Sequence, residues 1–422
     1  METNKINSGR FYAHHVGGRA GSVGFPHLPK FSQEIVNVIY DADESCIEQV
    51  KERWNGLQTI ILPYCLSNKL GTSELNINYD PYTSSLLPTN PDFGNFYVSN
   101  QEKNSDYRLA ETLRTERTIE VITHTLDSLV ETNVVPQPDF LSIDTQGSEL
   151  WILEGASRCL CESIVAVQVE INFASIYQGV PLFGKLDEFL RNYNFLLVDI
   201  KPFKFGYKRI GLSCRGSKIP LQGEALYLLR PDSIERFDNT FNLAMKLEKL
   251  AFAALAFGYT DVAFGALERS YSLIPNMQVP PDANRTTALY QMFLLEFFEE
   301  VRKYTDIPLL WHNVFSSFEE SNNRFKSSNQ LVDEEKPETV IIHHGFIKRL
   351  WSQSLRYFST VIEKFSRKVR RICYAVAKKS LTKLGLKISF MSKITRFDSF
   401  LLENGFNIAV DCIHNERKPK RY

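Results

Sequence analysis

"PDFLSIDTQGSELWILEGA", residues 138–156, sets an apolar run, an acid, a turn and the start of an apolar-faced helix side by side. Asp139, Asp144 and Glu149 are acidic, Gly147 permits a tight backbone, and Leu150, Trp151, Leu153 and Ala156 resume an apolar face. A strand that only crosses a core has no use for Asp144 at its carboxyl end. A strand that presents a carboxylate to a ligand has.

Outward from this stretch, strand-like and helix-like runs alternate up to residue 231, the pattern of a parallel sheet covered by helices. "RFYAHHV" (10–16) reads as a first strand, followed by the Gly-rich "GGRAGSVG". "IVNVIYDAD" (35–43) is a second, ending in acid, and "SCIEQVKERW" (45–54) a helix with Ser45 as its cap. "LQTIILPYCLS" (57–67) is a third strand, and residues 79–110, rich in Pro, Asn, Ser and Tyr, a long excursion over the surface. "IVAVQVEI" (164–171) is another buried strand ending in acid, and "LFGKLDEFLRNYN" (182–194) has helical spacing. "FLLVDI" (195–200) and "EALYLLRP" (224–231) are the last two strands, joined by a loop without a crossover helix, which implies an antiparallel last strand. The expected fold is α/β: a doubly wound Rossmann-like sheet with an antiparallel last strand, then an all-helical C-terminal region.

That region begins at Asp232. "FNLAMKLEKLAFAALAFGYTDVAFGALERSYSLI" (241–274) reads as two antiparallel helices turning at Gly258–Asp261, without a repeat at a fixed period. Residues 325–338 are a polar linker, and 347–379 keep apolar residues at helical spacing among many cations. The chain thus divides into four regions: 1–231, 232–324, the linker 325–338, and a basic amphipathic tail, 339–422. The net charge of zero conceals a polarity, because Gly345–Tyr422 carries 18 Lys/Arg against 5 Asp/Glu, and the first 344 residues 31 against 44. The tail therefore suits either the acidic part of its own chain or an anionic membrane surface. No recognised binding motif accompanies the charge, which speaks against nucleic acid.

Composition (43% apolar, 23% charged) is that of an ordinary soluble protein. No run reaches the length of a spanning helix; the most apolar, 250–267, is broken by Gly258 and Asp261. The N-terminus lacks the apolar core of a signal peptide, and a reducing, cytoplasmic setting fits best. Seven cysteines form no C-x-x-C pair. Cys159 and Cys161 read as small buried side chains rather than a metal clip, and the His14-His15 doublet cannot face one metal from a strand, so no metal site is expected.

In a doubly wound sheet, ligands bind at the carboxyl ends of the strands. Asp41, Asp144 and Glu170 fall at such ends, and a Gly-rich turn follows the first strand. An acid ending the second strand can accept both hydroxyls of a ribose. This layout serves any adenosine cofactor and does not by itself separate a dehydrogenase from a methyltransferase. "HVGGRAG" is not G-x-G-x-x-G; Gly17 and Gly21 have the G-x-x-x-G spacing of a cofactor without a pyrophosphate, and the antiparallel last strand favours S-adenosylmethionine.

In these segments the sequence resembles the FkbM-type S-adenosylmethionine-dependent methyltransferases, over about residues 10–231. "PDFLSIDTQGSELWILEGA" is similar to that family's D-F-[LI]-K-[IL]-D-[VT]-[EQ]-G-x-E-x-x-[VI]-L-x-G-A, and "VAVQVEINFASIYQGVPLF" to its E-[VI]-x-F-x-x-[IL]-Y-x-G-x-P-x-F run. "LPYCLSNKLGTSELNI" and "TSSLL" are similar to its upstream segments. The resemblance implies that S-adenosylmethionine is held by Gly17, Gly21, Asp41 and Asp144, with Asp144 first and Glu170 second as the base or orienting group. The reaction implied is O-methylation of a sugar, glycan or natural-product acceptor; a catalytically degenerate scaffold on the same fold is the alternative. One position departs from the family: its first loop usually begins with Asp, and here that place holds His15, which as a neutral ring secures a cationic cofactor end less well. Plainer readings stand beside these: Asp41 or Asp144 as helix caps, Glu170 as an ion-pair partner, Gly147 as a turn requirement, Ser84 and Ser85 as loop serines.

Overall fold

A computed structural model describes residues 10–18, 24–90, 93, 95, 97–101, 105–207, 218–233, 240–273 and 288–302. The expected linker and basic tail lie outside the described residues, as does Gly21. The described residues form a mixed α/β structure with helices at the C-terminal side.

The strands are β1 (Phe11–Val16), β2 (Ile35–Tyr40), β3 (Thr59–Leu62), β4 (Cys65–Leu66), β5 (Gly71–Asn78), β6 (Tyr97–Gln101), β7 (Ser105–Arg108), β8 (Thr115–His124), β9 (Phe140–Ile143), β10 (Ala166–Asn172), β11 (Phe195–Tyr207) and β12 (Ile219–Leu229). Nine make one sheet in the order β3-β2-β1-β9-β10-β12-β11-β6-β7. Five consecutive strands, β3 to β10, are parallel, and β12 runs antiparallel between β10 and β11. The order turns back beside β1, because β2 and β3 lie on one side of it and β9 on the other. β1, β2, β9 and β10 are buried along nearly their whole length, as parallel strands covered on both faces must be.

Two expectations are corrected. Residues 57–67 are not one strand: β3 ends before Pro63, and β4 leaves for a separate three-stranded sheet, β4-β8-β5. A proline there cannot donate the next ladder hydrogen bond. The stretch 79–110 is not a bare surface excursion, because Leu87 and Leu109 are buried with Leu113, Ile176, Tyr177 and Leu221 in a core of their own.

The described helices include α1 (Ile47–Arg53), α2 (Leu109–Thr112), α3 (Leu126–Glu131), α4 (Glu149–Glu154), α5 (Ser157–Glu162), α6 (Phe183–Asn192), α7 (Thr240–Ala256), α8 (Thr260–Leu273) and α9 (Leu289–Arg302). Ser45 does not cap the segment before α1; Asp43 does, accepting a hydrogen bond from Ser45 N at 3.0 Å. The α7–α8 turn is closed by Gly258 in the left-handed region (φ 86°), with Gly258 N donating to Leu255 O and Tyr259 N to Ala254 O. This paired bonding satisfies the last carbonyls of α7.

α7 packs on the sheet. Phe252, fully buried, lies against Phe11 of β1 and against Phe25 and Phe31 of the β1–β2 crossover. Lys249 Nζ contacts both carboxylate oxygens of Asp139, at 2.8 and 2.9 Å, and Tyr12 N donates to the same group. Asp139 therefore serves the amino end of β9, opposite the end that carries Asp144. Among the described residues no helix is long and apolar enough to cross a membrane.

Candidate functional site

The carboxyl ends of β1, β2 and β9 meet around Gly17. Its N–H and that of Gly18 both donate to Tyr40 O at 3.0 Å, and Asp144 N donates to Val16 O at 2.9 Å. Gly17 has φ 96°, and a Cβ there would lie 2.0 Å from the carbonyl oxygen of Asp144. Only glycine permits both the backbone angle and the close approach. Asp41 follows β2, and its Oδ1 accepts from Asp43 N at 3.0 Å, which fixes the carboxylate at the strand end. Gly17, Asp41 and Asp144 line one cleft with Tyr64, Ser84 and Thr145, enclosing about 630 Å³ of open space, part of it solvent.

The turn after β9 is held in an uncommon shape. Gln146 (φ 59°) and Gly147 (φ 115°) are both left-handed. The buried Glu149 side chain secures them, accepting from Thr145 N at 3.0 Å and from Gly147 N at 2.9 Å. Burial pushes its carboxyl up to about 7, against the pull of those backbone donors. Ser85 Oγ, itself buried, donates to Gln146 O at 2.7 Å and ties the 79–90 segment to the same turn.

Behind the cleft the polar groups form a connected set. Gln146 Nε2 donates to Asp144 Oδ1 at 2.7 Å and to Glu170 Oε1 at 3.1 Å. Gln222 Nε2, from β12, donates to the same Glu170 oxygen at 3.1 Å, and the Tyr177 hydroxyl donates to Gln146 Oε1 at 3.0 Å. Burial raises Asp144 to about 6, with Gln146 opposing and the charge of Glu224 adding to the rise. Glu170, only 5% exposed, is raised well above the ordinary carboxylate range by burial and by the charges of Asp144 and Glu149.

Of the expected site residues, then, Gly17, Asp41 and Asp144 share one cleft. Glu170 does not line it and stands behind Gln146. Asp41 is not a helix cap, and neither is Asp144: the residue before α4 is Ser148, and no side-chain bond caps that helix. Glu170 has no ion-pair partner among the described residues; amides hold it instead. Gly147 meets the turn requirement by its positive φ, while Ser85 is more than a loop serine. Cys159 is buried as expected but Cys161 is exposed. The described residues contain no His/Cys/Asp/Glu group arranged to hold a metal ion. His15, 2% exposed, packs against Trp54 with ring centroids 5.4 Å apart and does not line the cleft. Burial and the nearby charge of Arg53 lower it to about 4, so at neutral pH it is an uncharged packing group.

Sequence reasoning passed over Gln146, Tyr177 and Gln222. Gln146 and Tyr177 stand inside the motifs "DTQG" and "IYQG", where their polarity in apolar surroundings was the available signal. Gln222 had none, because only the antiparallel insertion of β12 brings it to Asn172 and Glu170.

The family model of the Methyltransferase FkbM domain matches residues 15–197. This span holds every one of Gly17, Asp41, Asp144 and Glu170, and stops before β12 and α7–α9. No curated protein and no solved structure matches the chain.

Proposed function

We propose that this FkbM-domain protein transfers a methyl group from S-adenosylmethionine to a hydroxyl of a sugar, glycan or natural-product acceptor. The observation that carries the reading is the single cleft in which the left-handed Gly17, Asp41 and Asp144 meet. S-adenosylmethionine would supply a methyl group activated by its sulfonium. Gly17 lets β1 turn hard against the Asp144 carbonyl, where a side chain would collide, and so keeps the loop close to the cleft; Asp41 would accept from ribose hydroxyls. Asp144 would align the acceptor hydroxyl and accept its proton, a contribution of about 10²–10⁴-fold for a positioned base. Glu170 acts from behind rather than on the acceptor.

A scaffold on a degenerate methyltransferase fold is the second reading, favoured by one observation: a buried, neutral His15 stands where the family usually has a carboxylate. Calorimetry of the full chain with S-adenosylhomocysteine decides between them, with NAD in the same assay as the control for a nicotinamide enzyme. Binding supports the enzyme; absence of heat and of any thermal shift at millimolar ligand defeats it and leaves the scaffold.

A further inference from the structure

Two neighbouring carboxyls that compete for one hydrogen-bond donor need something to decide which of them carries the charge. The molecule shows its ordinary solution elsewhere. Asp139, 3% exposed, is matched by the ammonium of Lys249. Asp144 and Glu170 have no such cation among the described residues; the amide nitrogen of Gln146 donates to both, and the two carboxyls also act on each other directly.

That amide is fixed from every side. Its oxygen lies 3.0 Å from the Tyr177 hydroxyl, whose single proton is shared between it and Thr83 O at 2.9 Å. The backbone carbonyl of Gln146 accepts from Ser85 at 2.7 Å. Its φ of 59° lies in the left-handed region that favours glycine, here sustained by the surrounding bonds. Turning the amide over would aim its oxygen at the charged Asp144 carboxylate, which favours the observed orientation.

We propose that Gln146 is a positioning residue for the transfer reaction, its single side-chain nitrogen clamping Asp144 to Glu170 so that the two carboxyls share one negative charge and Asp144, at the cleft, carries it. The inference rests on the methyltransferase reading for its purpose and on the clamp geometry for its substance.

The surroundings favour this division. Glu170 faces Asp144, Glu149 and Tyr177, and lies directly across from Glu224 of β12; among the described residues Gln146 and Gln222 donate to it. Like charges so close cannot all ionise together. Glu170 Oε2 is buried without a partner among the described residues, an unfavourable place for charge and a suitable one for a proton. Asp144 instead lines the open cleft and accepts the shorter of the two Gln146 bonds.

The test follows the titration of carboxyl-labelled full-length protein by isotope-edited NMR, with Asp144→Asn assigning the signal, and needs no cofactor. Gln146→Leu removes the donor and should move the Asp144 midpoint upward by about one unit. Gln146→Lys offers an ammonium to the same two acids and should move it downward. A residue that merely pegs the turn gives losses of thermal stability in both variants with the midpoint unmoved, and that result overturns the proposal. If Gln146→Leu does not fold, the direction of the Gln146→Lys shift decides alone. Failure of the wild-type chain to bind S-adenosylhomocysteine would defeat the enzyme reading while leaving this measurement intact.

Discussion

Removing Lys249 should separate the architecture of this protein from its chemistry. Its Nζ lies 2.8 and 2.9 Å from the two oxygens of Asp139, and the two side chains are 14% and 5% exposed. In Lys249→Met the methylene stem is kept and only the cation is lost, so Asp139 remains buried with Tyr12 N as its nearest donor. Breaking a buried pair from one side costs about 3–5 kcal/mol, most of it the burden of the stranded charge. That burden depends on pH. Burial already raises the Asp139 carboxyl, and Lys249 is the strongest of the groups that oppose the rise, ahead of Tyr12 N and Lys246. Without Lys249 its folded-state value rises further above the unfolded one, so the folded variant takes up a proton as the pH falls. The variant should therefore lose most stability, relative to wild type, at pH 8 and recover part of it near pH 5. Asp139→Asn with Lys249→Met should recover part at every pH. Urea unfolding at the two pH values measures this, and calorimetry with S-adenosylhomocysteine should be unchanged, because Asp139 lies at the far end of β9 from the cleft. A penalty under about 1 kcal/mol at pH 8, or one independent of pH, would refute the assignment of a charge-compensated dock between α7 and the sheet.

At the cleft, Asp41→Ala should weaken cofactor binding by about 1–3 kcal/mol, read by calorimetry, and no loss would remove Asp41 from the ribose position. Because Asp144 is raised to about 6, transfer activity should rise with pH through that value and be lost in Asp144→Asn, with cofactor affinity little changed; equal losses in both would make Asp144 a cofactor ligand. A carboxyl raised in the folded state stabilises at low pH and loses that contribution as the pH climbs from 3.8 to about 6, so Asp144→Asn should melt above wild type at pH 8. Gly17→Ala should abolish cofactor binding and lower the melting temperature, since its methyl group would sit 2.0 Å from Asp144 O; a fully active variant would mean that the turn is not where the ligand approaches. Flotation of the full chain with anionic vesicles, against a chain ending at Glu338, tests the basic tail. Salt-sensitive binding that is lost with the tail supports a membrane surface, and a drop in thermal stability without flotation supports docking on the acidic part of the chain.

The part of the molecule legible in the sequence was the part written in local pattern. β1, β2, β9 and β10 are short apolar runs bounded by turns, and the α7–α8 hairpin is a helical period broken at Gly258. Asp41 and Asp144 were readable as residues of the strand-end cleft because an acid directly after a buried strand has few structural uses. Features that stayed hidden depend on residues far apart in the chain. Lys249 meets Asp139 across 110 positions, and Gln222 meets Glu170 across 52. Glu170 itself looked like a cleft acid, and only the left-handed turn at Gln146 shows that an amide stands between it and the cleft.

Distance along the chain also governs how residues 15–197 relate to the rest of the structure. They hold all the expected cleft acids, yet their sheet is incomplete without β12. β12 supplies the Gln222 donor that Glu170 needs, and β11 pairs only with β12 and β6 among the described strands. On the other side, the described part of the β1–β2 crossover forms only the short turn Pro29–Phe31, with no α-helix to cover β1. Phe11, Phe25 and Phe31 are covered instead by Phe252 of α7, with Tyr290 and Phe293 of α9 adding to the same aromatic cluster. Each buried aromatic ring contributes several times the stabilisation of an exposed ion pair. The helices after residue 240 therefore belong to the core that holds Gly17 and Asp144 in register, and the site depends on them although none of their side chains lines it.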